Sequence, residues 1–255
     1  LIGALADRHA VIYEDRLNHA SLIDAARLSQ ATVRRYRHAN LAHLDTLMQD
    51  AVGEALIVTD GVFSMDGDVA PHAGLAALAQ ARDAWLVVDE AHGFGVLGEE
   101  GRGSLAASGV APWEGLVQMG TLGKAFGVAG AFVAGSEEVI ETLIQQARTY
   151  IYTTALPPAV AAATRAALAV SIEESWRRER VLALTRRFRE LAREANLPLA
   201  DSETPIQPLL LGEPDAAVRA SRQLLDKGLF VAAIRPPTVP AGTSRLRITL
   251  SAAHR

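Results

Sequence analysis

The sequence has no cysteine in its 255 residues, so it has neither a disulfide framework nor a thiolate metal site. That absence suits a reducing compartment, and a cytoplasmic protein without a metal is expected. Lysine is nearly absent too: of 25 basic residues only Lys124 and Lys227 are lysines. Any chemistry that needs an ε-amine therefore has two candidates. No apolar run approaches the roughly 18 residues of a membrane span, and the first residues lack the layout of a secretory leader. A net charge of −4 provides no basic field. Neither a nucleic acid nor a membrane is expected as a partner. The first residue is not methionine: Leu1-Ile-Gly-Ala-Leu-Ala reads like the tail of a helix, and the chain stops at Ala253-His254-Arg255. A chain truncated at both ends is expected.

What is present alternates between strand and helix. Strand-like runs at 10–14, 32–36, 55–59, 85–88, 115–119 and 131–134 are separated by helical spacing at 21–28, 41–49 and 75–82. Apolar strands alternating with helices predict an α/β fold with a mainly parallel sheet covered on both faces. Ligands of such sheets gather at the carboxyl ends of the strands. After Pro157-Pro158 the pattern becomes one long helical stretch to 196, with a charged run that reads as a solvated face. A smaller βαββ unit follows at 207–211, 216–227, 230–234 and 245–250. The expected organisation is a large α/β domain over 1–156, a connecting helical segment over 157–196 and a small α+β domain over 197–255.

Four stretches carry candidate chemistry. Thr121-Leu-Gly-Lys124-Ala-Phe-Gly-Val-Ala-Gly130 follows a strand and flanks one of the two lysines with small residues. A ligand can approach such a lysine closely, and the nearby hydroxyl and amides suit a phosphate; the alternative is a plain loop lysine. Val87-Val-Asp89-Glu-Ala-His92-Gly93 ends a buried strand on Asp89. A carboxylate there is costly unless it meets a cation or caps the next turn. Leu17-Asn-His19-Ala-Ser21 puts an imidazole at a strand-to-helix junction, either to stack on a flat heterocycle or to serve locally. Thr59-Asp-Gly-Val-Phe-Ser64-Met-Asp-Gly-Asp68 presents Ser64 as a hydroxyl donor or as a turn residue. His9, His38, His43, His72 and His254 lack metal-ligand spacing and read as surface residues.

Two competing motifs fail. Asp-Glu-Ala-His is also a nucleotide-hydrolase box, but its phosphate loop is missing: Gln118 stands where the first glycine belongs, and Ala125 where Ser or Thr belongs. Gly93-Phe-Gly-Val-Leu-Gly98 matches a dinucleotide fingerprint, yet Glu99-Glu-Gly-Arg-Gly follows instead of an apolar helix. Near the end, Arg235-Pro-Pro-Thr238 leads toward a strand on which Arg245 and Arg247 share one face, with Leu246 and Ile248 opposite. A planar guanidinium there suits a carboxylate, or the strand face is simply exposed.

Together these stretches resemble the α-oxoamine synthases, a branch of the fold-type I pyridoxal-phosphate enzymes. The resemblance runs nearly the whole chain, through Asn-His-Ala-Ser, Thr-Asp-Gly-Val-Phe-Ser-Met-Asp-Gly, Val-Asp-Glu-Ala-His-Gly and Thr-Leu-Gly-Lys-Ala-Phe-Gly in order. It implies pyridoxal 5'-phosphate as cofactor, with Lys124 as the Schiff-base lysine and Asp89 as partner of the ring nitrogen. It further implies that His92 and Ser64 contact the phenolic oxygen, His19 stacks on the ring and Thr121 approaches the phosphate. Arg247, with Arg235 and Thr238, matches the substrate-carboxylate pocket. Thr154, in Tyr152-Thr-Thr154, matches a segment that reaches a neighbouring subunit's phosphate, which implies a homodimer. The Ile-Arg-Pro-Pro form points to the branch that condenses L-alanine with a pimeloyl thioester rather than to glycine-using sisters. The family also has a glycine-aromatic loop before the position of Leu1.

Overall fold

The computed structural model describes residues 1–49 and 53–254. The chain divides into two compact units, Leu1–Val62 with Val69–Glu174 and Phe63–Asp68 with Ser175–Arg255.

The first unit runs α1 (Ile2–Leu5), β1 (Val11–Asp15), α2 (Ala20–Leu28), β2 (Thr32–Tyr36), α3 (Leu41–Met48), β3 (Ala55–Asp60), α4 (His72–Ala81), β4 (Trp85–Asp89), α5 (Ser104–Ala107), β5 (Leu116–Thr121), β6 (Ala131–Ala134), α6 (Glu137–Gln146), α7 (Arg148–Ile151) and α8 (Pro158–Glu173). Its strands form one six-stranded sheet in the order β2-β1-β3-β4-β5-β6. All pairings are parallel except β5 with β6. The α/β expectation with a mainly parallel sheet is therefore met.

The reason lies in the side chains. All six residues of β3 are buried, as a central strand covered on both faces requires. Ile12, Leu56, Val58, Val87 and Val117 pack with Leu22 and Ala26 of α2, Ile2 of α1, and Val139 and Leu143 of α6. Ile57, Leu86 and Val88 point the opposite way by alternation and are also buried, with α4 packed against β4. Each fully buried aliphatic side chain contributes about 1.5–3 kcal/mol. Helices α3 and α6 start on polar caps: the Asn40 side chain accepts from His43 N at 2.8 Å, and the Ser136 side chain accepts from Val139 N.

The second unit holds α9 (Trp176–Glu194), β7 (Ile206–Gly212), α10 (Pro214–Asp226), β8 (Ala232–Ile234) and β9 (Ser244–Thr249). Its three strands are antiparallel in the order β7-β9-β8. The 63–68 segment is tied in here, because the hydroxyls of Ser202 and Thr204 both donate to Gly67 O, at 2.7 and 2.9 Å. A Cβ at Gly67 would lie 2.3 Å from Ile206 O, and φ is +73°, so only glycine fits.

Three expectations need correction. The helical stretch after Pro157-Pro158 is two helices, α8 and α9, separated at Glu174 and Ser175, where Glu174 leaves helical geometry (φ −105°, ψ 59°). His72 is not a surface residue: it is 1% exposed at the start of α4, with Nε2 2.8 Å from Ser104 Oγ. Arg245 does not lie on an exposed face: it is 4% exposed and pairs with Asp66. Among the described residues, no helix is long and apolar enough to cross a membrane.

Candidate active site

Three neighbouring parallel strands, β1, β3 and β4, each end on a buried aspartate: Asp15, Asp60 and Asp89. Each carboxylate then accepts backbone N–H groups, from the turn that begins there or from the turn after a neighbouring strand. Asp15 takes Leu17 N and Ala39 N, both at 2.8 Å, and Asp89 takes Ala91 N at 2.8 Å. Asp60 takes His19 N at 2.6 Å. The carboxyl edge of the sheet is thus strongly acidic.

Asp89 is 4% exposed, and burial raises its pKa above the usual carboxylate range. The Ala91 N–H and the positive charges of Lys124 and His19 act in the opposite sense. Capping the turn after β4 and facing cations are therefore both true of Asp89. Lys124, in the exposed loop after β5, has Nζ 3.1 Å from His92 Nε2. The structure thus gathers Asp89, His92 and Lys124, with His19 within electrostatic reach of Asp89.

The turn after β4 and the lysine loop pack closely. Gly95 has φ +81°, and a Cβ there would sit 2.8 Å from Ala125 Cβ and 2.9 Å from the Phe126 ring. Phe94 stacks on Phe126 with centroids 4.9 Å apart, and edge-on to Phe132 at 4.8 Å. The Thr121 hydroxyl donates to Gly130 O and accepts Gly123 N, each at 3.3 Å, closing the base of the lysine loop. His19 caps α2 with its ring: Nδ1 accepts Ser21 N at 3.2 Å and lies 2.8 Å from Ser21 Oγ. Its local role and its exposure at the sheet edge coexist.

Glu90 was overlooked in the sequence because it sits inside the better-known Asp-Glu-Ala-His string. It is 2% exposed. Oε2 accepts Ser104 N at 2.8 Å, and Oε1 accepts Leu105 N at 2.8 Å and Ser104 Oγ at 2.9 Å. A Cβ at Gly93 would lie 2.1 Å from Oε2, so only glycine lets the turn fold over the carboxylate. Asp60 was also passed over. The signal available for both was an acidic residue inside or directly after an apolar strand, which demands a partner.

Of the remaining expected residues, Ser64, Arg235, Thr238 and Arg247 belong to the second unit and Thr154 to the first. In the second unit Arg247 Nε donates to Ser64 O, and burial lowers the guanidinium pKa. Arg235 is exposed beside an apolar hollow of about 270 Å³ with Arg222 and Phe230. Thr238 is exposed and its N–H donates to Arg235 O at 3.1 Å. Thr154, in the first unit, lines a mainly apolar cavity of about 940 Å³ with Met119, Phe132 and Ile144. Among the described residues no cluster of three His, Asp or Glu side chains is arranged to hold a metal.

An exposed lysine amine, a neighbouring imidazole and a buried carboxylate at the carboxyl edge of a parallel sheet define a pyridoxal-phosphate enzyme of fold type I. The chain belongs to the class I and II aminotransferase family, matching it over residues 1–255. Among curated relatives it is 57% identical over 255 residues to 8-amino-7-oxononanoate synthase of Nitrosococcus oceani, covering 100% of this chain and 68% of that protein. The solved 8-amino-7-oxononanoate synthase of Francisella tularensis superposes with a TM-score of 0.86 at 35% identity, over 100% of this chain and 73% of that one. A serine palmitoyltransferase from S. paucimobilis, solved with a bound PLP–myriocin aldimine, gives 0.93 at 31% identity over 100% of this chain and 65% of that one. The chain spans about two thirds of the length of the curated relatives it matches.

The residues present fit the cofactor. Asp89 is a desolvated carboxylate whose charged form is stabilised by nearby positive charge, which is what a protonated ring nitrogen supplies. Lys124 offers an exposed amine beside His92.

Proposed function

We propose that this chain forms the greater part of an 8-amino-7-oxononanoate synthase, which condenses L-alanine with a pimeloyl thioester and releases CO2 and the free thiol. The observation that carries this reading is the cluster of Lys124, His92 and Asp89, in a sequence 57% identical to a relative of that name. We assign to the whole protein a cytoplasmic homodimer; the exposed apolar residues Tyr150, Ile151, Tyr152 and Leu156 beside Thr154 support a subunit contact.

When bound, pyridoxal phosphate supplies an electron sink for the carbanion at the alanine α-carbon. Asp89 holds the ring nitrogen in its protonated form. Lys124 would hold the cofactor and, as a free neutral amine, would take the alanine α-proton and later return a proton to the product. His92, at 3.1 Å from that amine, orients it and donates to the phenolic oxygen together with Ser64. His19 would serve the cofactor ring and Thr121 its phosphate. Arg247, with Arg235 and Thr238, is assigned to the substrate carboxylate on its motif, and Thr154 to the phosphate of the neighbouring subunit.

Lys124→Ala should abolish turnover, and substantial residual turnover would refute the assignment. The deciding assay is thiol release from L-alanine plus pimeloyl-CoA, compared with glycine plus acetyl- or succinyl-CoA. Release with the alanine pair is expected; release with glycine alone would move the protein to a glycine-using sister activity.

A further inference from the structure

Asp60 plays no part in the roles assigned above, yet it lies at the centre of the acidic strand ends. It closes β3, is 4% exposed, and stands directly beside Asp89 in the parallel register. Strands run about 4.8 Å apart, so two carboxylates on neighbouring strand ends feel each other strongly. Its Oδ2 accepts the backbone N–H of His19 at 2.6 Å. Asn18 ties the same turn down a second time, its Oδ1 accepting Asp60 N at 3.1 Å and its Nδ2 donating to Val58 O at 2.9 Å. The position of His19 therefore rests on β3 as well as on its own strand, where Asp15 accepts Leu17 N.

We propose that Asp60 is a positioning residue of the cofactor site, clamping the backbone at His19 and setting, through its charge, how firmly Asp89 stays ionised. This rests on the assignment of Asp89 and His19 to the cofactor. The groups facing Asp60 are Asp89 on β4, Asp15 on β1, Tyr36 on β2 and Lys124 beyond β5. Burial foremost, then Asp89 and Asp15, push its pKa up to about 7, against the pull of the His19 N–H and Lys124. Near neutral pH Asp60 takes up a proton, which relieves Asp89 of a neighbouring negative charge. Below that range Asp89 is held ionised more easily, and above it less.

The test uses the cofactor-loaded protein and reads the absorbance of bound pyridoxal phosphate against pH. The unmodified protein should show an inflection near neutrality. Asp60→Asn keeps an oxygen for His19 N but loses the charge, and should remove that inflection or shift it by about one pH unit. Asp60→Glu, which restores the charge, should bring it back. A residue that only shaped the turn would leave the Asn profile unchanged. Asp60→Ala should in addition weaken cofactor retention by about tenfold, as the clamp on His19 is lost. The proposal is overturned if the unmodified protein shows no inflection between about pH 6 and 8, a reading that needs no variant to fold. It is overturned equally if Asp60→Asn titrates like the parent. Borohydride reduction of the same samples separates the two claims. Cofactor fixed on Lys124 with an unaltered Asn profile refutes only the role of Asp60, whereas cofactor not fixed on Lys124 refutes the site and this role with it.

Discussion

Replacing Glu90 by Gln is the most informative single change, because it exchanges one oxygen for an NH2 group at nearly the same volume. The carboxylate receives Ser104 N on one oxygen, and Leu105 N and Ser104 Oγ on the other. All three partners approach as donors, so either orientation of an amide sets an NH2 group against a backbone N–H. With the NH2 at Oε2, Ser104 N is orphaned; with it at Oε1, Leu105 N is orphaned, while the Ser104 hydroxyl can turn to donate to His72 Nε2. Gly61, Gly93 and Gly103 press against the carboxylate, leaving no room for water to compensate. Losing one charge-assisted bond and burying one orphan donor costs about 3 kcal/mol. Burial and Asp89 raise the pKa of Glu90, so removing its charge returns part of that. The net expectation is about 2 kcal/mol, or roughly 5 °C in melting temperature for a chain of this size. Thermal unfolding by circular dichroism at pH 7 measures it; the raised pKa means that protonation of Glu90 favours the folded parent, so the deficit of the variant should widen as the pH falls. A Gln variant that melts within about 1 °C of the parent would refute the donor-only account of this pocket.

Other expectations are equally direct. Burial pushes the His72 pKa from 6.5 down to about 4, so the folded state resists its protonation. Its contribution is full above 6.5 and is lost as the pH falls toward 4, about 3 kcal/mol in all; denaturant titrations of parent and His72→Gln should converge in acid. Arg245→Ala breaks the 2.6 Å pair with Asp66 and the 3.0 Å bond to Met65 O. The urea midpoint of the second unit should fall by an equivalent of about 3 kcal/mol, and an unchanged midpoint would show the pair to be dispensable. Gly95→Ala forces a Cβ against Ala125 and Phe126 at φ +81°. Cofactor titration should show about tenfold weaker binding with the fold retained.

The fold was legible where periodicity was strong. The apolar run from Ala55 and the Trp-Leu-Val-Val run read as strands, and both are, at the centre of the sheet. The α8–α9 break was not legible, because no glycine or proline marks it: Glu174 and Ser175 are ordinary helix residues in sequence. Likewise α6 was not among the expected helices, although its spacing is amphipathic, because it lies between the last strand-like run and Pro157-Pro158 and carries no conspicuous motif. Within the site, Asp89, His92 and Lys124 could be found because each is chemically conspicuous at a strand end. Glu90, Asp60 and His72 could not, because their meaning comes from partners far along the chain: Ser104 for Glu90 and His72, and His19 for Asp60. A strand-end acid announces that it needs a partner, but only the register of β1, β3 and β4 says which.

The central claim is that Lys124 holds the cofactor. Loading the protein with pyridoxal 5'-phosphate, reducing with borohydride and mapping the modified peptide tests it most directly. The account predicts stoichiometric modification of the peptide containing Lys124 and none on Lys227. Modification of Lys227 instead, or of neither lysine, would contradict it.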